Sequence, residues 1–457
     1  MLSTLDTFTN TRIEHVEVRN FRCFDHLSVA FHKRLTVLVA PNGGGKTALL
    51  DLLALSLRPY LDNLQLKITK RIFRRQDVRQ VLGPAGTMES VPQIFVQSKG
   101  LFSKHEVRWA LSSARGATTS LKGANDLQVA ANTLFGQHLR SLGGEPAPVF
   151  PLFGYYGTGR LWAHRRQASA PKARAQKPLD RPSGYDDCLS PDSRYEAFVD
   201  WFDRYSHEAA KEHMTNDPSL HHPKDRLSAI TQAVDLALEP SGWKNMEWDF
   251  TLKTIFARHQ RLGRLPVSSL SDGIRNMIGL VADIAHRAVR LNPQFGADAA
   301  RRTPGIVLID EVDMHLHPEW QQGVVSSLLN AFPEIQFIVT THSPQVLTSL
   351  PKTVIRILAQ NNEGAWCADM PEISPLAQES GDALAFIMNT HPRPGMPEIE
   401  ADLHAYEILA RQGKSSSPEA LAIKAKLEAA GYEFSQAQRA LFDFLTGRNR
   451  GGGHGNG

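Results

Sequence analysis

The sequence predicts an α/β fold built around a phosphate-gripping turn. Three observations carry that expectation. Residues 35–40 (LTVLVA) form an apolar run of buried-strand length, followed by a Gly-rich turn and the strongly helical stretch 47–55 (TALLDLLAL). Residues 306–309 (IVLI) form a second apolar strand, which ends in Asp310-Glu311. Residues 337–340 (FIVT) form a third, which ends in Thr341-His342-Ser343-Pro344.

The remaining elements follow in order. Residues 13–18 (IEHVEV) alternate as a half-buried strand does. Two more strands are expected at 92–97 and 106–111, and another ends in Phe153-Gly154-Tyr155-Tyr156. From 163 to 182 the composition turns to Ala, Arg, Lys, Gln and Pro without an apolar period, which predicts an exposed insertion. Helices are predicted at 194–212, 225–238 and 271–291, the last with apolar residues at helical spacing. After 375 the chain reads as mainly helical, and the terminal GGGHGNG reads as disordered. The domain expectation is thus 1–375, containing a basic and helical insertion at 163–240, then a helical region at 376–446 and a tail at 447–457.

Bulk properties narrow the class. With 457 residues, 42% hydrophobic and 21% charged, the chain can bury a sizeable core. A net charge of +4 is too weak to argue for nucleic acid or membrane. Cys23, Cys188 and Cys367 form no CxxC pair, which fits a reducing compartment. The first residues lack the apolar core of a signal peptide, and no apolar run approaches the ~18 residues that a span requires. A cytoplasmic protein without membrane contact is expected.

Ala40-Pro41-Asn42-Gly43-Gly44-Gly45-Lys46-Thr47 fits the Walker A pattern except at its first position. Glycines allow successive backbone N–H groups to converge on one anion, and the following helix adds its positive N-terminal dipole. Lys46 is placed to reach β- and γ-phosphates, and the Thr47 hydroxyl to hold Mg²⁺. Ala40 is compatible if its backbone stays in an ordinary region. A bare Gly-rich turn without ligand is the alternative, and the strand–turn–helix context weighs against it. At the second strand end, Asp310 is the candidate Mg²⁺ ligand through water. Glu311 is the candidate base for the attacking water. ATP and Mg²⁺ are therefore the expected cofactors, and ATP hydrolysis the expected reaction.

With these motifs, Asn20-Phe21-Arg22 before the loop and Leu270-Ser271-Asp272-Gly273 resemble the ABC-type ATPase heads of the SMC and RecF class. The segment from Asp310 to Pro318 (DEVDMHLHP) resembles the DE-x-x-x-HLHP segment of OLD and RecF-like ATPases. Thr340-Thr341-His342-Ser343-Pro344 resembles their switch-histidine strand end. Residues 155–162 (YYGTGRLW), and 184–189 (GYDDCL) leading into 198–202 (FVDWF), are similar to the PtuA-type ATPases of Septu antiphage systems, which work with an HNH nuclease.

The resemblance implies an ABC head: a mainly parallel core sheet, an antiparallel subsheet, a helical lobe and a C-terminal helical extension. It implies that Ser271 and Gly273 contact the γ-phosphate of ATP held by a second subunit, in a homodimer or higher homo-oligomer. Ser271 is equally a plausible helix N-cap, and Asp272 departs from the family consensus. His342 is implied as a γ-phosphate sensor, Asp313 as part of the dimer-facing D-loop, and Gln76 as the glutamine-loop residue. His315 and His317 are read as a structural turn before Pro318 rather than a metal site.

The region after 350 has no Asp-x-Asp of a TOPRIM nuclease, and no HNH constellation appears, so a separate nuclease partner is expected. The helical segment 380–446 is either its docking surface or a lid on the core. Two basic clusters leave DNA as a candidate partner, with solvated surface as the alternative. They are Lys67, Lys70, Arg71, Arg74, Arg75 and Arg79, and Arg160, Arg165, Arg166, Lys172, Arg174, Lys177 and Arg181. The leading expectation is an ATPase that dimerises around ATP and regulates an effector nuclease in phage defence. A RecF-like DNA-repair ATPase and a non-catalytic nucleotide-sensing assembly protein stay open beside it.

Overall fold

The structure, a computed structural model, describes residues 10–62, 64, 73–84, 86–91, 93–114, 125–160, 181–191, 195–215, 223–388 and 397–434. Strands β1 (Arg12–Phe21) and β2 (Phe24–Ala30) form a hairpin, and β3 (Leu35–Val39) runs into helix α1 (Lys46–Asp62). A small hairpin, β4 (Gln80–Leu82) and β5 (Met88–Ser90), precedes a long one, β6 (Gln93–Phe102) and β7 (His105–Ala114). Helix α2 (Asn125–Ser141) and strand β8 (Leu152–Tyr156) follow, then helices α3 (Tyr195–Thr215) and α4 (Pro223–Leu238). Next come β9 (Trp243–Asp249), β10 (Thr254–His259), β11 (Gly263–Pro266) and helices α5 (Asp272–Leu291) and α6 (Ala299–Arg302). Strand β12 (Gly305–Ile309), helices α7 (Pro318–Gln321) and α8 (Val324–Ala331), strand β13 (Ile335–Thr340) and helix α9 (Pro344–Leu347) come after them. Strands β14 (Ile355–Gln360) and β15 (Trp366–Asp369) are followed by helices α10 (Ser380–Met388), α11 (Pro397–Arg411) and α12 (Pro418–Ala429).

The core sheet has six strands in the order β15-β14-β3-β13-β12-β8. All its pairings are parallel except that of β15 with β14. Strands β3, β8, β12 and β13 are buried along their whole length, as parallel strands covered on both faces must be. A four-stranded antiparallel sheet, β2-β1-β6-β7, forms the subsheet, and β11-β10-β9 a smaller one. The α/β head with its mixed core sheet, antiparallel subsheet and helical elements is the fold the sequence implied. Missed elements include α2, the β4–β5 hairpin, the β9–β11 sheet, the β14–β15 hairpin and the short helices α6 to α9.

Buried polar side chains join the layers. The Gln336 amide on β13 accepts from Ile13 N (2.8 Å) and donates to Ile13 O (2.8 Å) and His32 O (2.9 Å), which ties the subsheet to the core sheet. Arg34 is fully buried and donates to the carbonyls of Phe332 and Ile335, with Leu329 O at 3.3 Å. Leu329 and Phe332 lie at the end of α8, where a helix leaves acceptors unpaired, and Ile335 opens β13. Burial lowers the Arg34 pKa to about 10.

The chain divides into two compact units, Met1–Met388 and Asn389–Gly457. In the second, α11 and α12 share a small core of Leu403, Tyr406, Ala410, Ala420, Leu427 and Phe434. Ser417 caps α12 through Ala420 N, and Lys426 pairs with Asp402 at 2.7 Å. Among the described residues, no helix is long and apolar enough to cross a membrane.

The basic clusters change on inspection. Lys67, Lys70, Arg71, Arg165, Arg166, Lys172, Arg174 and Lys177 lie outside the described residues, as do the end of the expected helical region (435–446) and the tail (447–457). Arg74 and Arg75 are exposed. Arg181 is not a surface cation: its guanidinium lies over the Phe150 ring at 4.6 Å and donates to Leu291 O (2.7 Å) and Pro148 O (2.6 Å). It is a structural residue.

Gln336→Leu removes the amide that pairs with Ile13 and leaves buried backbone groups orphaned. Each such group costs about 1–3 kcal/mol. The expected outcome is a lower urea midpoint with an unchanged m-value; an unshifted midpoint would show that the joint is held by packing alone.

Candidate active site

The turn between β3 and α1 is shaped by two left-handed glycines, Gly43 (φ 77°) and Gly45 (φ 83°). Gly45 also admits no side chain, because a Cβ there would lie 2.5 Å from the Phe24 ring. Ala40 does not adopt a positive φ, so the departure from the loop pattern carries no backbone strain. Gly44 N donates to Pro41 O at 3.0 Å and closes the turn. Asn42 is exposed at its tip. Lys46 is buried, and its Nζ donates to Ala40 O (2.8 Å) and Pro41 O (3.2 Å). Burial lowers its pKa, opposed by the charges of Asp310 and Glu311.

Parallel pairing brings the ends of β12 and β13 beside this loop. Thr47 Oγ1 donates to Asp310 Oδ2 at 2.7 Å, and Thr340 Oγ1 donates to Asp310 Oδ1 at 2.6 Å. Asp310 is buried at 2% exposure, which makes those two hydroxyls its required partners. Glu311 sits in the left-handed region (φ 49°), and its N–H donates to Thr340 Oγ1 at 2.7 Å. His342 is half-buried. Burial first, and then the Lys46 charge, hold its pKa below the ordinary range, against Glu311, Asp313 and Asp310. Lys46, Thr47, Asp310, Glu311 and His342 are thus brought together. A hydroxyl and a carboxylate facing each other are hard oxygen donors of the kind that Mg²⁺ takes, so the donor set fits that ion.

Behind the loop, α1 is braced through Asp51. Tyr155 Oη donates to Asp51 Oδ1 (2.7 Å) and Arg22 Nη1 to Asp51 Oδ2 (2.5 Å). Arg22 also donates to the buried Asp77 (2.8 and 3.0 Å). Burial works against the Arg22 charge, and its bonds to Asp77 and Asp51 more than restore it. Gln76 lies next to Asp77 in a 3-10 turn, Arg75–Asp77, and is exposed. Its segment is therefore tethered to α1 through Arg22.

Ser271 occupies the N-cap position of α5, yet its hydroxyl makes no capping bond and is exposed. Asp272 pairs with Arg275 of the same turn. Gly273 is buried against the 311–317 turn, where a Cβ would lie 2.4 Å from His315 O. His315 has φ 61°, and His317 Nδ1 accepts from Glu319 N (3.4 Å) as the N-cap of α7. His317 thus caps α7, while His315 contributes a left-handed backbone to the turn. Among the described residues, no cluster of three or more His, Cys, Asp or Glu side chains could hold a metal. Sequence reasoning gave no role to Thr340, Thr341 or Gln321. The only signal was the hydroxyl doublet Thr340-Thr341 at the end of an apolar strand.

Residues 165–348 match the family described as "AAA domain, putative AbiEii toxin, Type IV TA system", and residues 15–237 match a second family described as "AAA domain". The chain is 26% identical over 466 aligned residues to the "Retron Vc95 probable ATPase" of Vibrio cholerae, covering 90% of this chain and 86% of that protein. It is 46% identical over 97 residues to the "Septu protein PtuA" of Bacillus mycoides, covering 21% of this chain and only 13% of that protein. Among solved structures, the SMC head domain from Thermotoga maritima aligns with 79% of this chain and 100% of its own, at 14% identity and a TM-score of 0.42. Lys46 falls within one AAA-domain match, and Asp310 and His342 within the other. The residues gathered at the site thus lie in stretches similar to AAA-type ATPase domains, and a relative aligned over most of the chain is named as a probable ATPase.

Proposed function

We propose that this protein holds ATP with Mg²⁺ at Lys46, Thr47 and Asp310 and hydrolyses it with Glu311. We further propose that Ser271 and Gly273 of one subunit complete the site of another, and that the dimer regulates a separate effector nuclease in antiphage defence. The observation that carries the catalytic part is the 2.7 Å approach of the Thr47 hydroxyl to Asp310, from segments 263 residues apart.

The chain's residues divide the work. Lys46 exchanges the carbonyls of Ala40 and Pro41 for β- and γ-phosphate oxygens, which are stronger, charge-assisted acceptors. Backbone N–H groups of the glycine turn and the start of α1 face the same phosphates. Mg²⁺, when bound, neutralises charge on the β- and γ-phosphates. Glu311 orients a water and takes its proton as the water oxygen attacks the γ-phosphorus. The bond to the bridging oxygen then breaks, and ADP leaves. His342, whose pKa is lowered first by burial and then by the Lys46 charge, can hydrogen-bond the γ-phosphate. Gln76, on its tethered segment, remains the glutamine-loop candidate.

The dimeric part is supported by Ser271, whose hydroxyl is exposed and does not cap its own helix. The defence role is supported by relatives named as a retron ATPase and as Septu PtuA. The nuclease partnership follows the Septu resemblance, and the small unit built by α11 and α12 is the candidate surface for it.

Glu311→Gln is expected to bind ATP normally and to lose about 10²–10⁴-fold in turnover. Steady-state kinetics beside a fluorescent-nucleotide titration checks this, and full turnover would remove Glu311 from the base role. Phage protection that survives this variant would favour a nucleotide sensor over an ATPase switch. Strong stimulation by DNA, with no nuclease recovered alongside, would favour the repair reading.

Lys46→Ala is expected to weaken ATP affinity about tenfold or more, from loss of charge-assisted bonds. Mixing it with Ser271→Arg should restore part of the activity, because one site in the mixed dimer is then intact. Demonstrably mixed dimers that stay inactive would count against a shared site.

A further inference from the structure

The turn that follows Glu311 touches both the switch-histidine strand end and the signature segment. Its backbone is closed by Val312 N to Thr340 O (3.0 Å), Met314 N to Glu311 O (3.0 Å) and Leu316 N to Asp313 O (3.1 Å). On one side, Thr341 Oγ1 donates to Asp313 Oδ1 (2.5 Å) and accepts from Ser343 N (2.9 Å). On the other, His315 O lies against Gly273, so closely that no Cβ fits between them, and Leu316 Cδ2 would lie 3.4 Å from that Cβ.

Gln321, at the end of α7, spans the gap between the turn and the strand end. Its Nε2 donates to Leu316 O at 3.0 Å, with Asp313 O at 3.5 Å. Its Oε1 accepts from Ser343 Oγ at 2.7 Å. Ser343 is buried, and its oxygen also accepts from Gln345 N (3.1 Å) and Val346 N (3.4 Å) as the cap of α9. The serine therefore has its proton to give and gives it to Gln321. One amide thus uses its donor on the turn and its acceptor on the residue next to His342.

We propose that Gln321 is a positioning residue that couples the His342 strand end to the signature segment of the same subunit. The path runs Ser343, Gln321, Leu316, His315 and Gly273. A shift of His342 on meeting a γ-phosphate pulls Ser343, and the amide passes that shift to the turn on which Gly273 rests. The signature face, which in the proposed dimer completes the second site, is then set by the nucleotide in the first. This coupling rests on the ATPase reading above and deepens it by naming how the two half-sites communicate.

Glutamine and glutamate have the same length, but an ionised glutamate cannot donate to Leu316 O. Gln321→Glu therefore cuts the path at one bond and leaves the acceptor for Ser343 in place. The expected result is a turnover about tenfold lower, as for one hydrogen bond lost only in the transition state. ATP affinity, measured in the Glu311→Gln background, should stay within about threefold, since Gln321 hydrogen-bonds to the 311–317 turn and to Ser343 rather than to the phosphate loop. Gly273→Ala perturbs the other end of the path by pushing on His315 O.

The decisive readout is the double variant. If both substitutions act along one path, their effects on turnover are less than additive. Simple multiplication of the two effects would overturn the coupling, as would unchanged turnover in Gln321→Glu. A parallel fall in melting temperature, ATP affinity and turnover would reduce Gln321 to structural glue and also overturn it. Gln321→Asn, which keeps the amide but is too short to span, replaces Gln321→Glu should the latter not fold. Wild-type protein without ATPase activity would sink the underlying reading instead, which is a separate outcome from an active enzyme without coupling.

Discussion

Asp310 accepts a hydrogen bond at each carboxylate oxygen, from Thr47 on one side and from Thr340 on the other. Three chain segments meet at that side chain, separated in sequence by 263 and 30 residues. They can meet only because β3, β13 and β12 are neighbours and parallel, in the registers Leu38 with Thr340 and Val339 with Ile309. A slip of one residue would carry a hydroxyl about 3.3 Å along its strand and reverse its face. The buried apolar runs of these strands resist such a slip, so the hydrophobic core fixes a polar constellation that it does not itself contain.

The antiparallel subsheet has the less obvious task of aiming the phosphate loop. Phe24, on β2, fills the space that a side chain on Gly45 would take. That ring is in turn edge-packed on Trp366 at 5.1 Å, and Trp366 Nε1 donates to Cys23 O at 3.0 Å. Arg22, in the tight turn between β1 and β2, reaches Asp51 on α1. The loop is thus held at its glycine from one side and at the second turn of its helix from the other. The Gln336 joint keeps the subsheet at a fixed distance from β13. Rigidity of this kind lets backbone N–H groups be oriented before any phosphate arrives.

Much of this was legible because the chemistry is written in short contiguous runs. The apolar runs 35–40, 306–309 and 337–340, which fold as β3, β12 and β13, announced themselves, and so did the groups at their ends. The β9–β11 sheet did not, because little of it is buried apolar surface. It is laced instead by charge pairs, with Glu247 and Asp249 against Arg258 and Arg264, and Arg264 lies over the Phe256 ring at 3.7 Å. A sheet built from such pairs leaves no alternating pattern to read. Helix α2 and strand β14 were missed for a related reason, since both are only partly buried. The braces of the site, Arg22 with Asp77, Tyr155 with Asp51 and Gln321 with Ser343, escaped for another. Arg22, Tyr155 and Ser343 stood in stretches that the sequence singled out, but each gains its bracing role only from a partner that folding supplies. Arg181 shows the reverse error, a basic residue counted with a surface cluster but consumed by carbonyls and an aromatic ring.

The hydroxyl groups around the site divide into two sets, and the division bears on how it works. Thr47, Thr340, Thr341 and Ser343 are each committed to a partner within the same subunit. Ser271 is exposed, and although it stands at a helix start its hydroxyl does not close that helix. Its neighbour Gly273 is pressed onto His315 O, so the segment carrying Ser271 is fixed to the turn that follows Glu311. A serine at a helix start ordinarily contributes about 1 kcal/mol by capping, and forgoing that contribution makes sense where the hydroxyl has another acceptor to meet. In the proposed dimer that acceptor is a phosphate held by the other subunit. In that proposal the same turn carries Glu311, the proposed base, on one side and the outward-facing Ser271 segment on the other. In that dimer, a subunit that adjusts its own site would also move the surface that it offers to its neighbour.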